Sequence, residues 1–502
     1  MNLKRGLNNI FYGLVGQIIT IALGIILPRM FILSYGSETN GLISSVSQVL
    51  SYLSLLEAGV GTATIQALYK PVVDSDIGNI NKIMTATDNY YKRTGRIYLF
   101  LVTVIAIIYP NIVTSNISKP TISAIILVNS IPSVINYYFQ GKYKLLLQAE
   151  GKNYIITNLN TIFFVFSSLL KIAFIYLGIN IVFVQSIYIV TSLLQMLYFY
   201  RYMKKSYKWL DLNVIPDFSA ISQKNSVLVH QVAGLILNST DVTILTIFCG
   251  LEAVSIYTMY NMLFSMISTA LTTVNESIKF ILGQAYTKGR EYYLSILDIY
   301  ETYYIAVIFA LNFVAYTFVV PFIKLYTSGS DISYVNYIFP VLFVIIKLID
   351  GGRNVVLTTV VVAGHFSGTQ KKAIIECVLN LSISLISVLK FGMVGVLVGT
   401  IVALTYRCVD TIIYTNKVIL KRSSRYLFGL WIVNLIIFII MRQIVMHIEF
   451  PLATYLEIIC SAGILTIVSL IVFVAVTSVF RLRVARQAYT IIKGKILIRR
   501  KK

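Results

Sequence analysis

The chain has 502 residues and a formal net charge of +22; 57% of its residues are hydrophobic and only 12% are charged. A soluble domain carries roughly 25% charged residues, so the composition excludes an ordinary soluble protein and indicates a polytopic membrane protein. The four cysteines have neither paired spacing nor a nearby histidine cluster, which argues against a disulfide framework or a zinc site.

Apolar segments long enough to cross a bilayer recur along the whole chain. A transmembrane helix needs about 20 consecutive apolar residues, and this criterion predicts an all-α fold with fourteen spans. The predicted spans cover residues 7–33, 41–69, 97–114, 121–147, 155–177, 181–201, 226–249, 253–283, 298–322, 336–363, 373–389, 394–416, 427–446 and 452–478.

Basic residues are distributed unevenly between the two sides that these spans define. Thirty-two of the 42 Lys and Arg residues fall on the side of both termini or at the span ends that face it, and four fall on the other side, namely Lys119, Lys324, Lys390 and Arg442. Positive residues concentrate in cytoplasmic segments, so we expect a multi-pass membrane protein with both termini in the cytoplasm. This distribution accounts for most of the net charge without a nucleic-acid partner.

A short internal similarity indicates two parallel six-helix lobes, as in many transporters. Residues 35–50 and 249–264 each contain a glycine, a glutamate two residues later and then a segment rich in Ser, Leu and Ile. The predicted domains are an N-terminal lobe over 1–202, a cytoplasmic linker over 203–225, a C-terminal lobe over 226–418, two additional helices over 419–480 and a basic tail over 481–502. For the tail, an amphipathic helix on the inner leaflet and a plain positively charged anchor both stay open.

One predicted span contains three ionisable residues at regular spacing. The segment IIKLIDGGRN places Lys347, Asp350 and Arg353 three residues apart on one side of a helix, so each acid–base neighbour can pair. The two glycines after the aspartate disfavour helix and predict a break, which is tolerated at membrane depth where it is buried in protein or lines a cavity. Two interpretations stay open, namely a salt bridge that joins helices and a surface that faces the substrate.

Other ionisable residues inside the spans belong to separate helices, and a charge at mid-membrane costs roughly 2.5–3.5 kcal/mol on insertion scales. For Arg407 and Asp410, which are three residues apart, we favour a mutual salt bridge. Lys171 lies near an outer helix end and is expected to extend its ammonium towards water. Glu301 and Glu376 lie near inner ends and are expected to reach water. The remaining residues of this class are Arg29, Glu57, Asp241, Glu276 and Lys279.

Two motifs connect the chain to a known family. The pattern D-x-x-I-L-x-x-F-x-G-x-x-x-V-x-x-Y runs from Asp241 to Tyr257, inside the longer segment 238–278, and the stretch SLLEAGVGTA runs from Ser54 to Ala63. With fourteen spans, short loops and two lobes, the chain resembles the Wzx-type polysaccharide flippases of the multidrug/oligosaccharidyl-lipid/polysaccharide exporter superfamily. The resemblance covers roughly residues 1–480, and no catalytic signature accompanies it.

The resemblance implies a MATE-like pair of six-helix lobes around a central cavity. It also implies alternating-access export of undecaprenyl-diphosphate-linked oligosaccharide from the inner to the outer leaflet. Related flippases for lipid-linked precursors carry cations in their first, second and eighth helices. In this chain Arg29 matches the first position and Lys279 the eighth, whereas the second helix carries Glu57.

These considerations give a set of candidate functional residues. The expected contacts of the substrate diphosphate are Arg29, Lys279, Lys347 and Arg353. The candidate coupling or gating residues are Glu57, Asp241, Glu276 and Asp350. We expect no cofactor and no metal centre, with H⁺ or Na⁺ as the candidate coupling ion. Candidate partners are membrane lipids and a polysaccharide polymerase or assembly protein.

Two other functions compete with this interpretation. A cation-coupled drug or small-molecule antiporter of the same superfamily would share the architecture, but its cavity would be dominated by acids and aromatic residues. A membrane glycan polymerase or ligase would need a sizeable outer loop with catalytic groups. The outer loops are short, as in residues 326–334, and contain no clustered acid pair, so the sequence does not indicate an enzyme.

Overall fold

The predicted all-α fold is confirmed by a computed structural model, which describes residues 3–57, 60–221, 240–365 and 367–500. These residues form helices and no β-strand. In chain order the helices are α1 (Leu3–Tyr35), α2 (Ser37–Leu53), α3 (Val60–Val73), α4 (Ile77–Ile112), α5 (Lys119–Ile135), α6 (Gly141–Ala149), α7 (Asn153–Tyr176), α8 (Ile181–Ser206), α9 (240–248), α10 (Gly250–Thr287), α11 (Arg290–Tyr326), α12 (Ile338–Val362), α13 (Ser367–Tyr414), α14 (Arg425–Val445), α15 (Tyr455–Phe480) and α16 (Leu482–Arg500).

The protein is a multi-pass membrane protein. Within the described ranges, nine helical segments are long and apolar enough to cross a membrane. The largest of these segments runs from Gly368 to Ile419 and includes two of the predicted spans. The seventh predicted span, residues 226–249, lies mostly outside the described residues.

Two helices begin well before the spans predicted from hydropathy. α4 begins at Ile77 instead of residue 97, and α11 begins at Arg290 instead of residue 298. The first turns of α4 are polar, so hydropathy does not detect them. The side chain of Asp76 marks the start by accepting a hydrogen bond from the backbone N–H of Asn79 at 3.0 Å, as an N-cap does.

Two other predicted spans contain irregular backbone. The second span consists of α2, a 3₁₀ turn over Ser54–Leu56 and then α3. The fourth consists of α5, a π-helical segment over Asn136–Gln140 and then α6. Short π segments inside α-helices occur frequently at functional sites, and these two irregular segments both contribute to the cavity described below.

The eleventh and twelfth predicted spans form the two arms of α13. The arms join at Gly392, whose φ of 54° and ψ of −132° favour glycine. The amide of Asn380 donates to the hydroxyl of Thr400 at 3.0 Å, which ties the first arm to the second. A Cβ at Gly399 would lie 2.7 Å from the backbone nitrogen of Ser384, so glycine permits the close approach of the arms.

The predicted break at Gly351 and Gly352 is wrong, because α12 runs without interruption from Ile338 to Val362. The glycines provide space for neighbouring helices instead. A Cβ at Gly352 would lie 2.0 Å from the Trp431 ring on α14, and a Cβ at Gly351 would lie 3.2 Å from the Ile308 side chain on α11.

The chain divides into two compact units. Unit 1 contains Met1–Ser255 and Gly329–Ile332, and unit 2 contains Ile256–Ser328 and Ser333–Lys502. The predicted lobe boundaries at 202 and 226 stay a prediction, since residues 222–239 lie outside the described residues. Within unit 1, Asp331 caps α2, because the backbone N–H of Ser37 donates to its two carboxylate oxygens at 3.0 and 3.1 Å.

We expect Gly352→Ala to destabilise the protein by about 1–3 kcal/mol, because the added methyl group must displace the rigid Trp431 ring in a packed interior. Gly351→Ala is the matched control, with a smaller expected loss, since its added methyl group comes no closer than 3.2 Å to the Ile308 side chain. Unfolding of both purified variants in detergent measures the difference. Equal stabilities would contradict the role given to Gly352.

Candidate functional site

Six ionisable side chains of unit 2 form a continuous series of ion pairs on α12 and on both arms of α13. The members are Asp350, Arg353, Lys372, Glu376, Arg407 and Asp410. We call this set the α12–α13 charge cluster. Three cations face three carboxylates, so the cluster is balanced in formal charge.

Glu376 occupies the centre of the α12–α13 charge cluster. Its side chain is only 1% exposed, and one carboxylate oxygen lies 2.7 Å from Nη1 of Arg353. The other carboxylate oxygen lies 3.4 Å from Nε of Arg407. The expectation that Glu376 reaches water is therefore wrong: the carboxylate is buried because two guanidinium groups on two different helical segments compensate its charge.

The flanking pairs agree with the spacing of the sequence. Asp350 pairs with Arg353 at 2.6 Å, and Arg407 lies 3.7 Å from Asp410, so both i,i+3 pairs are present. Sequence spacing did not reveal Lys372, whose ammonium lies 2.6 Å from Asp410 across the bend of α13.

A second ion-pair group in unit 2 surrounds Arg422. Its guanidinium pairs with Asp298 and Glu301 at 2.5 Å each and donates to the amide oxygen of Asn416 at 2.6 Å. Glu301 is 1% exposed, so the expectation that it reaches water is also wrong. This group connects α11 to the segment that follows α13 and has an evident structural function.

The other predicted site residues of unit 2 lie on α10 and α12. Lys347 donates to the amide oxygen of Asn261 at 3.2 Å and to the hydroxyl of Ser265 at 3.3 Å, so it joins α12 to α10. Lys279 and Glu276 are one turn apart on α10, with 3.4 Å between ammonium and carboxylate. Because the Glu276 side chain is 60% exposed, this pair is held less firmly than those of the α12–α13 charge cluster.

Unit 1 contains a polar cavity of about 280 Å³ beside Glu57. The Tyr91 hydroxyl donates a hydrogen bond to the Glu57 carboxylate, and the Lys144 ammonium donates to the amide oxygen of Asn136 at 2.8 Å. The cavity is lined by Ser54, Glu57, Pro132, Ser133, Asn136, Tyr137, Gln140, Lys144, Ser192 and Gln195. Sequence inspection identified Glu57 but not its neighbours, which come from three separate parts of the chain.

Arg29 and Asp241 are the other predicted site residues of unit 1. Arg29 is half-buried on α1, directly after Pro28. Asp241 is buried at the start of α9, and two residues later the Thr243 hydroxyl lies 3.2 Å from that of Tyr52. The structure thus assigns Arg29, Glu57 and Asp241 to unit 1 and the other five predicted site residues to unit 2. Their functional roles stay predictions.

Two lysines of unit 1 are buried among its helices. Lys171 is 1% exposed, donates to the amide oxygen of Gln185 at 3.0 Å and lies 3.0 Å from the centre of the Tyr188 ring. The expectation that it extends to water is wrong, because hydrogen bonding and a cation–π contact satisfy it inside the helices. Lys142, also buried, pairs with the buried carboxylate of Asp88.

Comparison with solved structures shows the fold. The lipid II flippase MurJ in an inward closed conformation matches with a TM-score of 0.70 at 13% identity, covering 95% of this chain and 100% of that chain. An inward-facing MATE family multidrug transporter of the MOP superfamily matches with 0.64 at 14% identity, covering 80% and 94%. The Vibrio cholerae MATE transporter VcmN matches with 0.57 at 15% identity, covering 84% and 98%. No protein-family model and no curated protein matches the sequence.

We expect Glu376→Gln to destabilise the protein by about 3–5 kcal/mol, because it keeps the shape of the side chain but leaves Arg353 and Arg407 without their shared carboxylate. Glu449→Gln, at an exposed position of unit 2, is the control and should change stability little. Denaturant unfolding in detergent reports both. A loss below about 1 kcal/mol for Glu376→Gln would mean that the ion pairs contribute little to stability.

Proposed function

We propose that the protein is a flippase that moves undecaprenyl-diphosphate-linked oligosaccharide from the inner to the outer leaflet by alternating access. The observation that carries this proposal is the extent of its likeness to the lipid II flippase, which covers 95% of this chain, against 80% and 84% for the two MATE transporters. The uncovered 5% is about 25 residues, fewer than α14 and α15 contain together. The likeness therefore includes part of these two additional helices.

The diphosphate requires cations, and arginine and lysine are its usual partners in proteins. The proposed contacts are Arg29 of unit 1 and Lys279 and Lys347 of unit 2. Lys279 is the most readily available of these in unit 2, since its pair with Glu276 is long and partly exposed. Arg353 is a fourth proposed contact, but a phosphate must displace Asp350 or Glu376 from it.

The glycan requires hydroxyl and amide groups, which line the polar cavity of unit 1. Ser54 contributes a hydroxyl group to the cavity wall, and Asn136 and Gln195 contribute amide groups. Ligand cavities usually measure about 300–1,000 Å³, so a cavity of about 280 Å³ fits one sugar ring and excludes a whole oligosaccharide. We propose that it contacts a single residue of the glycan while the prenyl chain stays in lipid.

Coupling to an H⁺ or Na⁺ gradient is proposed to act through acidic residues, namely Glu57, Asp241, Glu276 and Asp350. Glu57 is the strongest candidate, because it lies at the polar cavity and accepts a hydrogen bond from Tyr91. Glu276 is the weakest, because its side chain is largely exposed.

The proposed location is the bacterial inner membrane, with both termini in the cytoplasm, because the basic residues are concentrated on the side of the termini. The proposed partners are the lipid-linked substrate, membrane lipids and a polysaccharide polymerase or assembly protein. No enzymatic activity is proposed.

The alternative function is cation-coupled antiport of a drug or small molecule. The likeness to a MATE multidrug transporter, with a TM-score of 0.64, supports it, and so does the half-buried carboxylate at the cavity of unit 1. An antiporter has no need for the cations on α10 and α12, whereas a diphosphate carrier uses them.

We expect Lys279→Ala to slow the transfer of lipid-diphosphate-linked oligosaccharide between leaflets by about tenfold or more, because it removes one charge-assisted contact to phosphate. The assay uses proteoliposomes and an impermeant glycan-modifying enzyme that acts only on exposed glycan. Lys288→Ala is the matched control, since Lys288 lies exposed just beyond the end of α10.

The outcomes separate the function from the residue assignment. If the protein transfers the glycolipid and neither Lys279→Ala nor Arg29→Ala changes the rate, the flippase proposal stands. These two cations are then not contacts of the diphosphate. If the wild-type protein exchanges drugs for cations and transfers no glycolipid with any of several glycans and ion gradients tested, the antiporter function replaces the flippase proposal.

A further inference from the structure

A cavity of about 900 Å³ lies within unit 2, away from the α12–α13 charge cluster. It forms where α11 and α14 end and α12 begins, so it lies at the membrane end that carries few cations. None of the predicted site residues lines it. The flippase proposal leaves this cavity without a role.

Two cations line this cavity, and both are unusual for their side of the membrane. Only four of the 42 Lys and Arg residues fall on the cation-poor side, and Lys324 and Arg442 are two of them. No aspartate or glutamate belongs to the described residues of the cavity wall. Within the described part of the chain, neither cation forms an ion pair; Arg442 faces the Tyr316 ring at 5.7 Å.

Exposed cations at a helix end often extend to water without any ligand. The other two cations on this side have ordinary positions, since Lys119 donates to Asn111 at 2.9 Å and Lys390 is exposed near the bend of α13. Lys324 and Arg442 differ because they come from two helices and line one concave space. Convergence of two like charges without a carboxylate favours an anion with several oxygen acceptors, such as a phosphate group, which can pair with both cations.

The rest of the wall is predominantly apolar. Val320 and Leu325 come from α11, Val341 from α12, and Val445 and Phe450 from the end of α14 and the loop after it. A free phosphate ion gains nothing from such a wall, whereas the ester and first acyl carbons of a lipid bury apolar surface there. Basic pockets between transmembrane helices bind anionic lipid head groups in this manner.

We propose that this cavity binds an anionic glycerophospholipid of the phosphatidylglycerol class. The phosphate lies between Lys324 and Arg442, and the glycerol esters and upper acyl carbons lie against the apolar wall. The bound lipid connects α11, α12 and α14, and thereby stabilises the packing of α14 against the other two helices. In the proposed orientation the lipid belongs to the outer leaflet. The site does not depend on which substrate the protein transports.

The test measures phosphatidylglycerol binding to the full-length protein by native mass spectrometry after titration in detergent. We expect Lys324→Gln and Arg442→Gln each to weaken binding by about tenfold, since each removes one charge-assisted contact to phosphate. Lys390→Gln is the matched control, a cation of the same membrane side outside the cavity, and should bind like the wild type. Val341→Trp, at a half-exposed position of the wall, should also weaken binding, because it fills the cavity and keeps both charges.

Three results would overturn the proposal. Unchanged binding in Lys324→Gln and Val341→Trp would remove the site, even if Arg442→Gln failed to fold. Equal retention of zwitterionic phosphatidylcholine would show that the cations select nothing. Displacement of phosphatidylglycerol by equimolar undecaprenyl diphosphate would assign the cavity to the prenyl substrate. None of these readouts uses transport, so their failure is distinct from failure of the flippase proposal.

Discussion

The packing of α12 against the two arms of α13 in unit 2 depends on the ion pairs of Glu376 with Arg353 and Arg407. A carboxylate that is 1% exposed between apolar helices requires compensation, and here two guanidinium groups supply it, one at each carboxylate oxygen. Because Arg353 belongs to α12 and Arg407 to the second arm of α13, one buried side chain fixes three helical segments. The glycines at 351 and 352 are consistent with this arrangement, since they let α11 and α14 approach α12 closely on one turn of the helix.

Other buried charges in the chain are compensated in different ways. Arg422 has two carboxylates and an amide within 2.6 Å, whereas Lys171 is held by an amide oxygen and an aromatic face. These are costly arrangements in a membrane, and each is complete enough to serve packing alone. The Glu57 cavity is different, because its wall leaves about 280 Å³ of space beside charged and amide groups. Space next to polar groups, more than the presence of charge itself, distinguishes a candidate site from a structural ion pair.

Hydropathy was sufficient to predict the all-α membrane fold, because about 20 apolar residues have few alternatives to a spanning helix. It missed the polar first turns of α4, whose residues extend the helix beyond the apolar segment. Local spacing revealed the Asp350–Arg353 pair, yet Glu376 is 23 positions away in sequence and its partners depend on how helices pack. Burial was the least predictable property: Lys171, Glu301 and Glu376 all seemed close enough to helix ends to reach water, but neighbouring helices cover them.

The balanced charge of the α12–α13 charge cluster limits what Arg353 can do for an anionic substrate. Its guanidinium already contacts Asp350 at 2.6 Å and Glu376 at 2.7 Å, so a diphosphate gains only the difference between its own contacts and those it displaces. Displacing Asp350 is the easier exchange, because that side chain is 33% exposed and its release into water is less costly than uncovering Glu376. If Arg353 takes part in transport, it therefore exchanges its contact with Asp350 for a contact with phosphate and keeps its contact with Glu376. Glu376 then stays paired with Arg353, whereas Asp350 is the partner that a phosphate can replace. A substrate role for Arg353 is therefore compatible with a structural role for the cluster.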